Sequence, residues 1–227
     1  MTQLWFSLAV FIGLHLAVAA GPMRRALVAK TGVAAYIAGY SILSVAVLWW
    51  VGDAYRAADV AILWDLDPWM RWVPALAMPV SFILLAAALT NPNPLSVGVK
   101  GGRFDPARPG IVGVTRHPLM WALTLWAVTH IPPNGDTAGV TLFGLFALLG
   151  LSGPFSLDFK KRRELGAARW AELARGTSSV PFAAVLTGRA RLAASFPGWT
   201  PIVAGLALYA AVIAWGHEAL VGVSPLP

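Results

Sequence analysis

Apolar runs, free of Asp, Glu, Lys and Arg except for Glu218 in the last, recur along the chain between short polar stretches, and their lengths decide what they are. A hydrocarbon core of ~30 Å takes roughly 20 helical residues. The runs Leu4–Ala20, Gly32–Val51, Trp72–Thr90, Thr137–Leu157 and Pro201–Leu220 are therefore predicted as membrane-crossing helices. A sixth run, Pro118–Ile131, is shorter, with Ile111–Thr115 leading in. Proline suits the first turn of a helix, where its missing N–H has no partner to lose, and Pro132-Pro133 cannot continue one. From Asp158 to Ala174 charge alternates with Leu165, Ala168, Trp170 and Leu173, the pattern of an amphipathic helix lying on a surface. Asn91-Pro-Asn-Pro-Leu-Ser96 reads as turns, and the stretch on to Arg108 as a loop. The predicted fold is all-α: one polytopic membrane domain over 1–227, with about six transmembrane helices, one of them short and Pro-bounded, and a cytoplasmic amphipathic helix.

Composition narrows the class. A hydrophobic content of 58%, 12% charged residues and a mean hydropathy of +0.68 lie outside the ordinary soluble range. The net charge of +7 raises nucleic acid as a partner, but the position of the charge argues against it. Fifteen of the 17 Lys and Arg fall in three alternate loops, leaving only Arg56 and Arg71 for the opposite face. The positive-inside rule makes those loops cytoplasmic and puts both termini outside, with the lipid bilayer as partner. The first basic residue is Arg24, so the run Leu4–Ala20 has no positive leader region and reads as a retained helix. Most of the 11 tryptophans sit near the outer boundary, as an aromatic belt would place them. Zero cysteine removes disulfides, thiolate ligands and thiol nucleophiles, and leaves imidazole as the main soft ligand.

Four histidines carry the remaining chemistry. His15 lies eleven residues past Leu4, or ~16 Å along its helix, and a mid-membrane imidazole needs a metal, a facing hydrogen bond or a proton relay. His130 is in the last turn of the short helix, with Trp126 one turn back as a pocket wall. His117, beside Arg116, precedes that helix, and His217, beside Glu218, lies near the outer end of the last span. His117 and His130 are thirteen residues apart, ~20 Å on one helix, so they cannot share one ion. Two imidazoles from different helices, with no cysteine and few intramembrane acids, suit a bis-histidine haem b better than zinc or a di-iron carboxylate site. The short helix covers only ~21 Å, so its outer end can lie below the surface near the level of His15, with Ile131–Gly135 as non-helical backbone lining a cavity. His130 with His217 is the rival pair. Arg116 and His117 are candidates for an inner-face anchor or propionate partner.

With those residues in place, the chain resembles the NnrU family of bacterial membrane proteins, whose plant relative is the zeta-carotene cis-trans isomerase. The resemblance runs over nearly the whole length. It rests on Gly13-Leu-His15, Gly113-Val-Thr-Arg-His-Pro118, Leu125-Trp-Ala-Val-Thr-His130, Asn134-Gly-Asp136, Lys161-Arg-Arg163 and Thr177-Ser-Ser-Val-Pro-Phe-Ala-Ala184. It implies a bacterial inner (cytoplasmic) membrane location and a haem b held by two histidines, which carry over onto His15 and His130. It also implies a link to nitric oxide and nitrite metabolism, or isomerisation of a polyene, with nitric oxide or a hydrophobic small molecule as ligand. In the plant isomerase a cysteine three residues before the second ligand is implicated in coordination; Ala127 stands there in this chain. A rival resemblance is to the isoprenylcysteine and phospholipid methyltransferases, which use S-adenosylmethionine and would bring Arg116, His117 and Glu164 together. Here Glu164-Leu-Gly-Ala-Ala lacks the second acid of that pattern. A non-catalytic membrane subunit is a third possibility.

Overall fold

The computed structural model describes residues 1–17, 21–97 and 102–226. Those residues form helices and connecting loops, with one isolated antiparallel bridge, Ile62 to Asp136, and no strand among them. In order, the α-helices are α1 (Thr2–Ala17), α2 (Gly21–Thr31), α3 (Val33–Arg56), α4 (Trp72–Thr90), α5 (Ile111–Val114), α6 (Pro118–His130), α7 (Thr137–Leu165), α8 (Ala167–Ala174), α9 (Ala183–Leu186), α10 (Trp199–Ala211) and α11 (His217–Val221). A 3-10 turn at Pro68–Arg71 leads into α4, another covers Leu192–Ser195, and a π-helical turn, Val212–Gly216, joins α10 to α11. Four helical stretches are long and apolar enough to cross a membrane: Val33–Arg56, Pro68–Thr90, Thr137–Leu165 and Trp199–Val221. The other two predicted spans are helices at the expected places but shorter. With 16 and 13 residues, α1 and α6 reach ~24 and ~20 Å of a ~30 Å core. Val18–Ala20 of the first predicted span, and Lys100 of the basic loops, lie outside the described residues.

Two expectations need correction. Residues 21–31, read as a loop, form α2. Their Ala, Leu, Arg and Lys are strong helix formers, and the helix stops at Gly32, whose φ of +80° only glycine adopts readily. The amphipathic segment does not begin at Asp158. Nothing between Leu157 and Gly166 breaks a helix, so α7 runs on to Leu165 and the surface helix is α8 alone. At 29 residues α7 spans ~43 Å, so its charged last turns stand clear of a ~30 Å apolar layer.

The chain divides into two compact units, Met1–Asp65 with Gly135–Leu142, and Leu66–Asn134 with Phe143–Pro227. In the first, α1 packs on α3 and buries Leu4 and Leu8 completely or nearly so. Phe6 meets Trp50 edge to face at 5.7 Å. The bridge segment returns on Gly135, whose carbonyl accepts from the N–H groups of Leu63 (2.8 Å) and Trp64 (3.2 Å).

In the second unit α4 is central, packed by α6 and α10. Lipid is as apolar as leucine, so close backbone approach and interhelical hydrogen bonds must hold such helices together. Gly205 of α10 supplies the first: a Cβ there would stand 2.6 Å from Ile83 Cα. The second comes from Ser81, which donates to Ala122 O at 2.8 Å, and Tyr209, which donates to Ala75 O at 2.8 Å. Gly150 of α7 lies against α6 in the same way, where a Cβ would meet Thr124 Oγ1 at 2.4 Å and its backbone N at 3.1 Å. A small core of Ala87, Leu95, Ile111, Val112, Leu173 and Ala174, with Trp170 packed against it, adjoins the polar site described next.

Candidate functional site

Arg116 and His117 occupy the two residues before α6, with Pro118 at its first position. Both turn inward, and His117 is 0% exposed. They meet on Asp158 of α7. The guanidinium grips the carboxylate through two bonds, Nε to Oδ1 at 3.0 Å and Nη2 to Oδ2 at 2.6 Å, a bidentate pairing that fixes geometry as well as charge. His117 Nε2 donates to Oδ1 at 3.0 Å, and Ser179 Oγ donates a short bond to Oδ2. Four donors on one carboxylate favour its ionised form. Arg116 also reaches Ser179 Oγ (2.8 Å) and Thr177 Oγ1 (3.2 Å), so four of its five N–H groups have partners.

The same residues tie down the backbone. Arg116 N–H donates to Ser178 O at 2.8 Å, and Asn93 Nδ2 donates to Arg116 O at 2.8 Å. Trp121 Nε1 and Thr115 Oγ1 both donate to Ser179 O, at 2.8 and 3.1 Å. Arg116 lies over the Trp170 ring of α8 at 5.4 Å. The assembly joins the start of α6, the end of α7, α8 and the Thr177–Ser179 turn.

Tautomers follow from the partners. A carboxylate only accepts, so His117 Nε2 carries a hydrogen; Ser96 Oγ, 2.8 Å from Nδ1, donates to the other nitrogen. Ser96, His117 and Asp158 thus stand in the order of a nucleophile relay, but Ser96 is buried and Asp158 is already neutralised by Arg116. The arrangement is that of a clamp. It also leaves His117 no lone pair for a metal.

His15, His130 and His217 differ from His117 in this respect. His15 Nδ1 lies 2.9 Å from Phe11 O, His130 Nδ1 2.7 Å from Trp126 O, and His217 Nδ1 2.8 Å from Val223 O. A carbonyl cannot donate, so Nδ1 carries the hydrogen in each and the Nε2 lone pair points away, the usual state of a metal-ligating histidine. In the first unit His15 is flanked by the rings of Phe11 (4.1 Å) and Tyr40 (5.8 Å). In the second, His130 stacks on Phe143 at 5.2 Å with Trp126 at 5.7 Å. Asn134 Nδ2 donates to His130 O at 2.7 Å and ends α6 there. The first unit also has an open hollow of about 620 Å³ lined by Trp5, Val60 and Leu63, with Asp59 and Thr137 at its polar edge. Trp5 is ten residues, ~15 Å, along α1 from His15.

The structure brings Arg116 and His117 together, and Trp126 with His130. Glu164 does not join Arg116 and His117; it pairs with Lys161 at 3.0 Å. Asp158, Ser96, Thr177 and Ser179 were not singled out in the sequence as partners of this cluster. The available signal was Asp158 itself, a lone acid where an apolar run meets Lys160-Lys-Arg-Arg163.

The described residues are helical, with four helices among them of membrane-crossing length and a buried polar clamp. A family model described as NnrU protein matches residues 3–225, and the chain belongs to that family. No curated protein and no solved structure matches it.

Proposed function

We propose that this NnrU-family chain is a haem b protein of the bacterial inner membrane, in which His15 and His130 would hold the group, with its basic loops in the cytoplasm and both termini outside. The observation that carries the reading is the shared state of those two imidazoles: Nδ1–H bound to the carbonyl one turn back, Nε2 unspent, aromatic rings alongside. Neutral imidazole with an apolar surround suits iron in a porphyrin. Among the described residues no group of three or more His, Cys, Asp or Glu gathers as it would for a bare ion. When bound, the group would supply one-electron chemistry and an iron able to take up a small ligand. Trp126, edge to face with Phe143 at 5.4 Å and Phe146 at 5.6 Å, acts as a fixed wall beside His130. Arg116 and His117 serve by setting the start of α6, not by touching iron.

Nitric oxide is the ligand class this reading favours over a polyene, because Ala127 leaves no sulfur at the position where the plant isomerase has one. Purified protein loaded with haem is expected to give a Soret band and split α/β bands on reduction. His15→Ala and His130→Ala should lose most of that absorbance, while His117→Ala and His217→Ala should keep it. Protein that stays colourless after loading overturns the proposal. Nitric oxide added to the reduced protein should shift the Soret band; a shift with neither nitric oxide nor polyene would remove both ligand classes.

A further inference from the structure

Between α8 and α10 the chain makes an irregular excursion, residues 177–198, which holds α9 and the Leu192–Ser195 turn. Thr177–Ser179 at its start belong to the clamp. The rest has no part in the site described above.

One face of this excursion is anchored on α5 through small residues. Ala184 is 0% exposed and Ser195 is buried. Phe182 N–H donates to Val114 O at 2.8 Å, and Gly110 N–H donates to Ala194 O at 3.1 Å. The fit is close enough that a Cβ on Gly113 would fall 2.3 Å from Ser195 Oγ. The opposite face carries the large side chains. Val180, Phe182, Leu186, Leu192 and Phe196 all project outward, Leu186 to 84%. Five large apolar side chains left exposed along one short segment mark a surface that something covers. Phe182 takes a left-handed backbone, φ +61° and ψ −7°, unusual for a bulky residue. Strain of that kind persists only where surrounding structure enforces it, and here it presents a half-exposed aromatic ring.

Charge and continuity identify the occupant. No acidic residue lies between Glu172 and Glu218, whereas Arg189 and Arg191 sit within the strip. Arg189 is partly committed, to Thr177 O at 3.2 Å and Thr187 Oγ1 at 3.1 Å. Phe196 meets Trp199 edge to face at 5.5 Å, so the apolar strip runs directly into the first residue of a helix of membrane-crossing length. Apolar side chains on one face, arginines among them and continuity with a span are the features of a segment seated at the headgroup boundary.

We propose that Val180–Phe196 is a wedge inserted into the leaflet that the basic loops face, with its apolar side chains at the acyl boundary and Arg191 on the phosphates of anionic phospholipid. The proposal is independent of haem binding. Because the natural chain has no cysteine, single-cysteine variants can be labelled cleanly. Leu186→Cys and Arg169→Cys, the latter on the charged face of α8, are each given an environment-sensitive fluorophore. The full-length chain is then reconstituted in phosphatidylcholine vesicles with or without phosphatidylglycerol. The Leu186→Cys label is expected to be blue-shifted, and quenched several-fold more by a shallow nitroxide lipid than by aqueous iodide, with the reverse order for Arg169→Cys. Adding Arg191→Gln should shrink the gain in lipid quenching that phosphatidylglycerol brings. Equal iodide quenching at the two positions overturns the wedge, as does self-quenching at position 186 that rises with protein density and ignores nitroxide lipid, which would make a second copy the occupant. An anionic-lipid gain unchanged by Arg191→Gln overturns the phosphate contact.

Discussion

The histidine before α6 and the histidine that ends it are thirteen residues apart on one rod, yet they have opposite chemical states. At the start, His117 has both nitrogens bound and sits in a network where Asp158 receives four donors. At the end, His130 has one nitrogen bound and one lone pair unspent. A saturated polar cluster is a device for holding backbone in place, because each donor has already found its acceptor. An imidazole with a fixed tautomer and an open Nε2 is prepared for a ligand. Their hydrogen bonds thus separate two histidines that the sequence reading assigned different parts, one an inner-face anchor and the other an iron ligand, without sight of either partner.

Breaking the clamp should have the largest effect on stability. Asp158→Ala leaves the Arg116 charge without its partner in a site where its side chain is 10% exposed. Removing one member of a buried pair costs ~3–5 kcal/mol. Asp158 itself keeps 21% of its side chain exposed, which favours the lower end. The melting temperature of detergent-solubilised protein should fall by on the order of 10 °C. Replacing both members, Arg116→Met with Asp158→Leu, should cost less than Asp158→Ala alone, because no unpaired charge remains. A double variant that melts lower than the single one would mean the cluster does more than balance charge. Ser96→Ala should cost ~1 kcal/mol, the loss of one buried hydrogen bond, and leave the absorbance of haem-loaded protein unchanged. The smallest effect is expected from His217→Ala, at a half-buried position in the last helical stretch, with neither melting nor absorbance altered.

How much of this was legible in the sequence varied with the distance over which each feature is decided. Helices α3, α4, α7 and α10 follow from long apolar runs, and α6 from the proline at each end, because those signals are local. α2 was missed: eleven residues with three basic ones have no apolar stripe to see, and helix propensity alone is a weak prior. The extension of α7 was hidden by the change of pattern at Asp158, which marks leaving an apolar layer and not the end of a helix. The clamp was half visible. Arg116 and His117 stood out as ionisable residues beside an apolar helix, but their partner is some forty residues away, and its one local mark is its place where the apolar run of α7 meets the basic one. The state of the imidazoles was not visible at all, since a bond from Nδ1 to the carbonyl four residues back depends on rotamer and not on spacing.

The contrast between the two ends of α6 is tested most directly by electron paramagnetic resonance of the ferric, haem-loaded protein, with Asp158→Asn set beside His130→Ala. The account predicts a low-spin signal that Asp158→Asn retains, at lower thermal stability, and that His130→Ala abolishes or converts to high spin. A signal that survives His130→Ala and is lost in Asp158→Asn would contradict it.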